Sequence, residues 1–316
     1  MSTAYSIDPK VCEQARLTRD ARFDGLFFTA VRTTGIYCRP VCPAPTAHAR
    51  NVEYFANAAA AASAGFRPCL RCRPEAAPGT PLTRARSELV AAALRMIDAG
   101  ALDDCSVAQL ARRIGVGERH LRRLFVEELG AGPLEIAATR RLLFAKKLLT
   151  ETSLPITHIA HAAGYASLRR FNAAFLAGYK RAPRDLRRDE SATPASNTLT
   201  LRIPYRAPYD FSALLAFFAR RAIPGIETVD ATSYTRRFAF DGKAGTLRVS
   251  ETRDADALAL DVDFPDAARL QELCMRVRRL FDTDADIAAI NAQLARDPRL
   301  RAFVRRHSGQ RLPGGW

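Results

Sequence analysis

Seven cysteines occur in the chain, and four of them fall into two tight pairs: Cys38-x3-Cys42, then 26 residues, then Cys69-x2-Cys72. No other feature restricts the fold as severely. Two close thiol pairs separated by a small subdomain have the ligand spacing of tetrahedral zinc, which favours thiolate in four-coordinate sites. The competing fate of paired cysteines is disulfide formation, which belongs to oxidising compartments. No basic-then-apolar leader opens the chain, and no run of 18 apolar residues occurs that would span a bilayer. A cytoplasmic, reducing setting without membrane association is therefore expected, with Zn2+ as the cofactor. Spacing alone does not say what the metal is for, since most four-cysteine zinc sites only hold a small fold together. Cys12, Cys105 and Cys274 stand alone and read as ordinary small or buried residues.

Charge points to the partner. Lys and Arg total 48 against 33 Asp and Glu, a net +15 with a sequence pI near 10.1. A surplus of that size suits a polyanion, and nucleic acid is the commonest one. With 48% apolar residues the chain is globular. Residues 73–86 and 189–198, rich in Pro, Ala, Ser and Thr and without apolar period, read as linkers. They divide the chain into expected domains over 1–78, 83–188 and 199–316, with the positive charge densest in the middle. The alanine run 58–62 suits a short helix.

The middle domain has a helical period. After a helix over Leu89 to Ile97, Val107, Leu110, Ala111 and Ile114 fall at i, i+3, i+4 and i+7. Gly115-Val116-Gly117 turns, and a second helix from Glu118 points Leu121, Leu124 and Phe125 inward. This is a helix-turn-helix. The unit repeats: Ile156, Ile159, Ala160 and Ala163 share the spacing, Gly164-Tyr165-Ala166 turns, and Phe171 and Phe175 anchor the next helix. Pro133 opens a connecting helix that ends near Thr150. On the exposed faces, Arg119, His120, Arg122 and Arg123 in the first unit, and Arg169, Arg170 and Asn172 in the second, would reach the major groove or the phosphates. Arg favours guanine edges and Asn adenine. A helical bundle with no DNA role can contain the same geometry; the repeat and the basic faces favour DNA.

The residues around the cysteines go further. The run FFTAVRTTGIYCRPVC and the later GFRPCLRC closely resemble the methyl-acceptor domain of the Ada family over roughly residues 12–75. The resemblance implies repair of methylphosphotriesters in DNA, with Cys38 as nucleophile and all four cysteines as zinc ligands. Thiolate chemistry supports it: a zinc-bound cysteine stays thiolate at neutral pH, and thiolate is the nucleophilic form. Nothing regenerates the thiolate, so each molecule acts once. Four thiolates on zinc carry a formal −2, and one methylation makes it −1, which lowers repulsion from DNA and turns repair into a signal. Arg32, Thr33, Thr34, Arg39, Arg67 and Arg71 flank the cysteines as candidate phosphate contacts, Thr34 and Arg67 lying within the matched motifs. Where the family often has basic residues after the second cysteine, this chain has Pro43-Ala44-Pro45, so backbone contacts are not carried onto that loop. Residues 85–188, with GYASLRRFNAAFLAGYKRAPRDLR in the second unit, resemble the AraC-type DNA-binding domain.

Residues 199–316 read as α+β. Strands are expected over 198–203, 233–240 and 246–251, and helices over 212–221, 266–281 and 284–295. YRAPYDFSALLAFFARRAIPGIETV and the closing GQRLPGGW resemble the N-terminal domain of AlkA-type 3-methyladenine DNA glycosylases. The helix-hairpin-helix and catalytic aspartate of those enzymes are not within the 316 residues, nor is a PCHR-type acceptor cysteine. Asp261 and Asp263 read as solvated strand or turn residues. The expected architecture is therefore multidomain α+β: a small α+β zinc domain, an all-α double helix-turn-helix domain and an α+β AlkA N-terminal-like domain. The expected function is stoichiometric methyl transfer to Cys38 coupled to transcriptional activation, without glycosylase activity in these residues. Its partners would be double-stranded DNA, through the methylated backbone and promoter operators, and RNA polymerase during activation, in a nucleoid-associated cytoplasmic protein. Two rival readings stand beside it: a transcription regulator with a purely structural zinc, and a glycosylase whose catalytic domain lies beyond residue 316.

Overall fold

The computed structural model describes residues 7–79, 85, 87–187, 198–252 and 256–316. Residues 80–84 and 86 of the first expected linker and 189–197 of the second lie outside the described residues. Two compact units form, Met1–Thr150 with Pro155–Arg187, and Glu151–Leu154 with Arg188–Trp316. The multidomain α+β architecture is the one expected. No helix among the described residues is long and apolar enough to cross a membrane.

The first unit begins with α1 (Pro9–Thr18), whose N-cap Asp8 accepts from the Lys10 N–H at 2.8 Å. A four-stranded sheet follows in the order β3-β1-β2-β4, with β1 Phe28–Val31, β2 Ile36–Cys38, β3 Val52–Phe55 and β4 Arg67–Pro68. The β1–β2 hairpin turns through Gly35, whose φ of +64° suits a residue without Cβ. The alanine run forms α2 (Ala58–Ser63), capped by Asn57, which accepts from the Ala60 N–H at 2.9 Å. Methyl side chains let this helix lie close on the sheet, and Ala58 to Ala61 are buried beside Phe28, Ala30 and Tyr37.

The rest of the unit is helical: α3 Glu88–Asp98, α4 Ala101–Asp104, α5 Val107–Arg113, α6 Glu118–Leu129, α7 Pro133–Glu151, α8 Ile156–Ala162 and α9 Leu168–Tyr179. Both expected helix-turn-helices are present, α5–α6 and α8–α9, with α7 as the connecting helix. Ser106 and Gln109 close a capping box on α5. Leu110, Ala111, Leu121 and Phe125 are fully buried, while Ile114 and Leu124 pack at the margin of the core. In the second helix-turn-helix Ile159, Ala160 and Ala163 meet a run of rings on α9, Phe171, Phe175 and Tyr179, with centroids 5.5 and 4.8 Å apart.

The two helix-turn-helices are joined at Asp103. Its carboxylate accepts from Arg141 Nε at 2.7 Å and Arg140 Nη2 at 3.3 Å, both on α7. It also lies under the turn of the second unit, where a Cβ on Gly164 would fall 2.5 Å from it. One acidic side chain on α4 thus holds the connecting helix and the α8–α9 turn together.

The second unit is a five-stranded antiparallel sheet in the order β5-β9-β8-β7-β6. Its strands are β5 Leu199–Pro204, β6 Glu227–Val229, β7 Ser233–Phe240, β8 Lys243–Glu251 and β9 Ala257–Asp263; its helices are α10 Phe211–Ala219, α11 Leu270–Leu280, α12 Ile287–Leu294 and α13 Pro298–Arg306. Tyr234, Leu247, Val249, Leu260 and Val262 are buried with Leu273, Val277 and Phe281. β6, β9 and α13 are additions to the expected elements. Residues 266–281 divide into a 3-10 turn over Ala267–Arg269 and α11, and the helix expected over 284–295 is confined to 287–294. Asp261 and Asp263 sit on β9; Asp261 accepts from Thr200 Oγ1 at 2.7 Å and Asp263 is exposed.

Removing the Asp103 carboxylate leaves the mostly buried Arg140 with the Asp98 carbonyl but without a paired carboxylate. Asp103→Ala is expected to lower unfolding stability by about 2–3 kcal/mol, read by denaturant titration. A change below about 0.5 kcal/mol, the ordinary surface value, would show that Asp103 does not join the two helix-turn-helices.

Candidate metal centre

Strand pairing explains how cysteines 26 residues apart meet. β2 runs parallel to β4, with Ile36 beside Arg67 and Tyr37 beside Pro68. Cys38 ends β2 and Cys69 follows β4 directly, its N–H bonded to the Tyr37 carbonyl at 3.0 Å. A turn closed by the Cys42 N–H on the Arg39 carbonyl, 3.1 Å, returns Cys42 to Cys38. All four sulfurs lie within 4.8 Å of one another, and those of Cys42 and Cys69 are 4.0 Å apart. A tetrahedral zinc with bonds of about 2.3 Å needs sulfur separations of about 3.8 Å, so the set fits that ion. The charge also fits. Hydrogen bonding to Cys42 pushes the Cys38 thiol up, and the same contact draws the Cys42 thiol down to about 7. Four thiolates this close need a divalent cation among them.

The four sulfurs are not equivalent. Cys69 and Cys72 are each 6% exposed, whereas Cys38 and Cys42 are half-buried. A backbone N–H donates to one of them, Arg39 to the Cys72 sulfur at 3.3 Å. Among the described residues no backbone hydrogen bond reaches the Cys38 sulfur. The segment after Cys42 is held by α1 and its C-cap: Arg19 Nη2, just past the helix, donates to the Ala44 carbonyl at 3.3 Å, and Arg16 Nη1 donates to the Ala47 carbonyl at 3.0 Å.

The flanking residues divide by environment. Arg39, expected as a phosphate contact, is instead committed inward. Its Nε donates to Asp24 at 2.9 Å, its Nη2 pairs with the same carboxylate, and its Nη1 donates to the Cys72 carbonyl at 3.0 Å. Asp24 is buried, and pairing with Arg39 repays its desolvation. Asp24 was not foreseen, because a lone Asp 14 residues before Cys38 carries no local signal. Arg32 pairs with Glu53 at 2.8 Å on the surface. Thr33 and Thr34 are exposed in the hairpin turn, at the end of β2 opposite Cys38, and the Thr34 hydroxyl donates to the Val31 carbonyl at 3.3 Å. Arg67 is half-buried on β4, and Arg71 is exposed between Cys69 and Cys72.

On α6, Arg119, His120 and Arg123 are exposed and Arg122 is half-exposed. Arg122 bonds Glu118 at 2.7 Å, and Arg123 lies 3.2 Å from His120 Nδ1. Arg169, Arg170 and Asn172 are exposed on α9, opposite its ring-lined buried face. The first turn of each second helix therefore presents cations to solvent, as groove entry requires.

Residues 11–75 match the metal binding domain of Ada, 110–189 a helix-turn-helix domain and 200–316 the AlkA N-terminal domain. A probable bifunctional transcriptional activator/DNA repair enzyme AlkA of Mycobacterium tuberculosis is 42% identical over 307 residues, 96% of this chain. The chain spans 62% of that relative's length. The bifunctional transcriptional activator/DNA repair enzyme AdaA of Bacillus subtilis is 33% identical over 162 residues, 51% of this chain and 74% of AdaA. Among solved structures, the DNA methyl phosphotriester repair domain of Escherichia coli Ada is 50% identical, covering 23% of this chain and 80% of that one at a TM-score of 0.21. The four clustered cysteines are thus a zinc site joined to a helix-turn-helix domain, and the chain belongs to the Ada family.

Proposed function

We propose that Cys38 accepts the methyl group of a DNA methylphosphotriester, once per molecule, and that the methylated chain activates transcription through its two helix-turn-helices. The observation that carries this reading is the inequality of the sulfurs. Cys38 is partly exposed at the end of β2, and its sulfur takes no backbone N–H bond of the kind that Arg39 gives to buried Cys72. Such bonds draw electron density from a sulfur and stabilise its charge, so the bare sulfur is the better nucleophile.

Bound zinc would be held by Cys38, Cys42, Cys69 and Cys72 and would keep their sulfurs as thiolates at neutral pH. The Cys38 sulfur attacks the methyl carbon in line with the C–O bond. Its lone pair becomes the new S–C bond, and the C–O electron pair leaves on the phosphate oxygen, restoring an anionic phosphodiester. No proton moves. The product is a thioether, whose S–C bond no group in the site can break, so turnover stops at one methyl. Arg71 and Arg67 would meet the flanking phosphates, while Arg39 holds the cluster through Asp24 and Cys72.

Methylation replaces an anionic sulfur with a neutral one, so the site repels the DNA backbone by one charge less. Base and phosphate contacts would come from Arg119, His120, Arg122 and Arg123 on α6, and Arg169, Arg170 and Asn172 on α9. Activation requires the DNA-bound chain to offer RNA polymerase a surface. Asp261 and Asp263 are strand residues of β9, and neither is assigned a part in base release.

Mass spectrometry of the zinc-loaded chain after exposure to methylphosphotriester DNA is expected to show a gain of one methyl mapped to Cys38. The gain should plateau at one equivalent and vanish in Cys38→Ser. Absence of any gain would leave a regulator with a structural metal. Chelation of the metal is expected to expose the four cluster thiols to a thiol reagent, because binding energy at such a site is also folding energy. Equal thiol reactivity before and after chelation would rule out the metal site.

A further inference from the structure

The mechanism leaves a buried ion pair beside the cluster unused. Glu75, three residues past Cys72, has a side chain only 2% exposed and pairs with Lys146 of α7, itself 4% exposed. The same Glu75 Oε1 accepts from Arg73 Nε at 3.1 Å, and Arg73 Nη2 reaches Thr150 Oγ1 at 3.3 Å, again on α7. Glu75 Oε2 and the hydroxyl of Tyr179, the last residue of α9, are buried with no hydrogen-bond partner among the described residues. The charge of Glu75 bears on Tyr179 and on Tyr37, the neighbour of Cys38. At the first helix-turn-helix, Asn57 Nδ2 donates to the Leu129 carbonyl at the end of α6, 2.7 Å and buried. Apolar contacts agree with the polar ones, since Ala59 belongs to the core of the first helix-turn-helix and Leu143 of α7 packs on the sheet module.

Burying a carboxylate and an ammonium is expensive, and the pair persists only where geometry over-determines it. Here it lies at the junction between the sheet module and the helices. We propose that Glu75 and Lys146 are positioning residues that clamp the methyl-acceptor module onto the connecting helix, so that Cys38 and both recognition helices meet one DNA duplex as a single body. This rests on the methyl-acceptor function proposed above. With the clamp closed, helix contacts raise the effective concentration of the acceptor sulfur at a nearby lesion, an advantage that a duplex too short for the helices cannot supply.

Single-turnover methyl transfer would be timed on methylphosphotriester duplexes of about 10 and about 30 base pairs, one and three helical turns. The wild-type chain is expected to react faster on the longer duplex. Glu75→Gln and Lys146→Met should lose about tenfold of that advantage, keep the short-duplex rate and still take up one methyl. The matched apolar pair Glu75→Leu with Lys146→Met removes both charges together and should restore the advantage, as replaced ion pairs often do. Full advantage in both single variants, or an equal fall on both duplexes, would overturn the clamp.

Hydrogen exchange reads the clamp without any activity. Glu75→Gln should speed exchange in α2 and in residues 143–150 while leaving α5 and α6 protected; unchanged exchange would overturn it. No methyl transfer by the wild-type chain on either duplex, with exchange shifted as expected, would sink the repair function and leave the clamp standing.

Discussion

Four sulfurs within 4.8 Å of one another repel as thiolates, and the whole sheet module is arranged around that repulsion. At about 4 Å, and with the effective dielectric of a protein margin, each pair of charges costs about 4 kcal/mol. Six such pairs are tolerable only with a cation at their centre. The β2–β4 pairing that assembles the sulfurs is two residues long, too short to be stable by itself. The Arg39–Asp24 pair and the arginines of α1 close the loops around the cluster, but the metal is the part that makes the arrangement worth adopting. The reactivity proposed for Cys38 has the same origin, since its sulfur shares this crowding while Arg39 supplies an N–H to Cys72.

The double helix-turn-helix follows a different logic. Its core is apolar and repetitive, and its recognition helices are anchored by rings and leucines. Charge joins the two halves at Asp103, between Arg140, Arg141 and the Gly164 turn. A joint of this kind favours one relative angle over its neighbours, whereas apolar contact alone would tolerate several. Fixed half-site spacing on DNA requires the same property.

What could be read in the sequence was what obeys a period or a spacing. The cysteine pairs, the alanine helix, both helix-turn-helices and the connecting helix from Pro133 are all local patterns. The expectation that Cys38 in particular is the acceptor was not legible from spacing; it came from the resemblance of TTGIYCRPVC to a family. β9 was hidden because its acidic ends, Asp261 and Asp263, made the segment look solvated, while its apolar residues Leu258, Leu260 and Val262 supply the sheet core. Arg39 looked like a phosphate ligand because nothing local to it announced Asp24, 15 residues away. Glu75 and Lys146 are 71 residues apart and each is unremarkable in its own segment. Tertiary charge pairs carry no sequence period, so they surface only in three dimensions.

Range decides how a single lost charge can change DNA affinity. Salt at physiological strength screens exposed charges beyond about 8 Å, so a neutralised sulfur influences only phosphates that lie almost against it. Either a conformational relay must carry the change to the recognition helices, or Cys38 must itself stand at the DNA surface while those helices are bound. A relay needs a bistable element, and the cluster offers none: its loops are held by Asp24, Arg39, Arg16 and Arg19 whichever sulfur is methylated. Direct contact needs only that the acceptor module and the helices keep a fixed relation to each other. The buried Glu75–Lys146 pair, the Asn57–Leu129 bond and the shared apolar packing supply that relation. The junction is therefore what lets an effect confined to the nearest phosphates count toward binding by the whole unit.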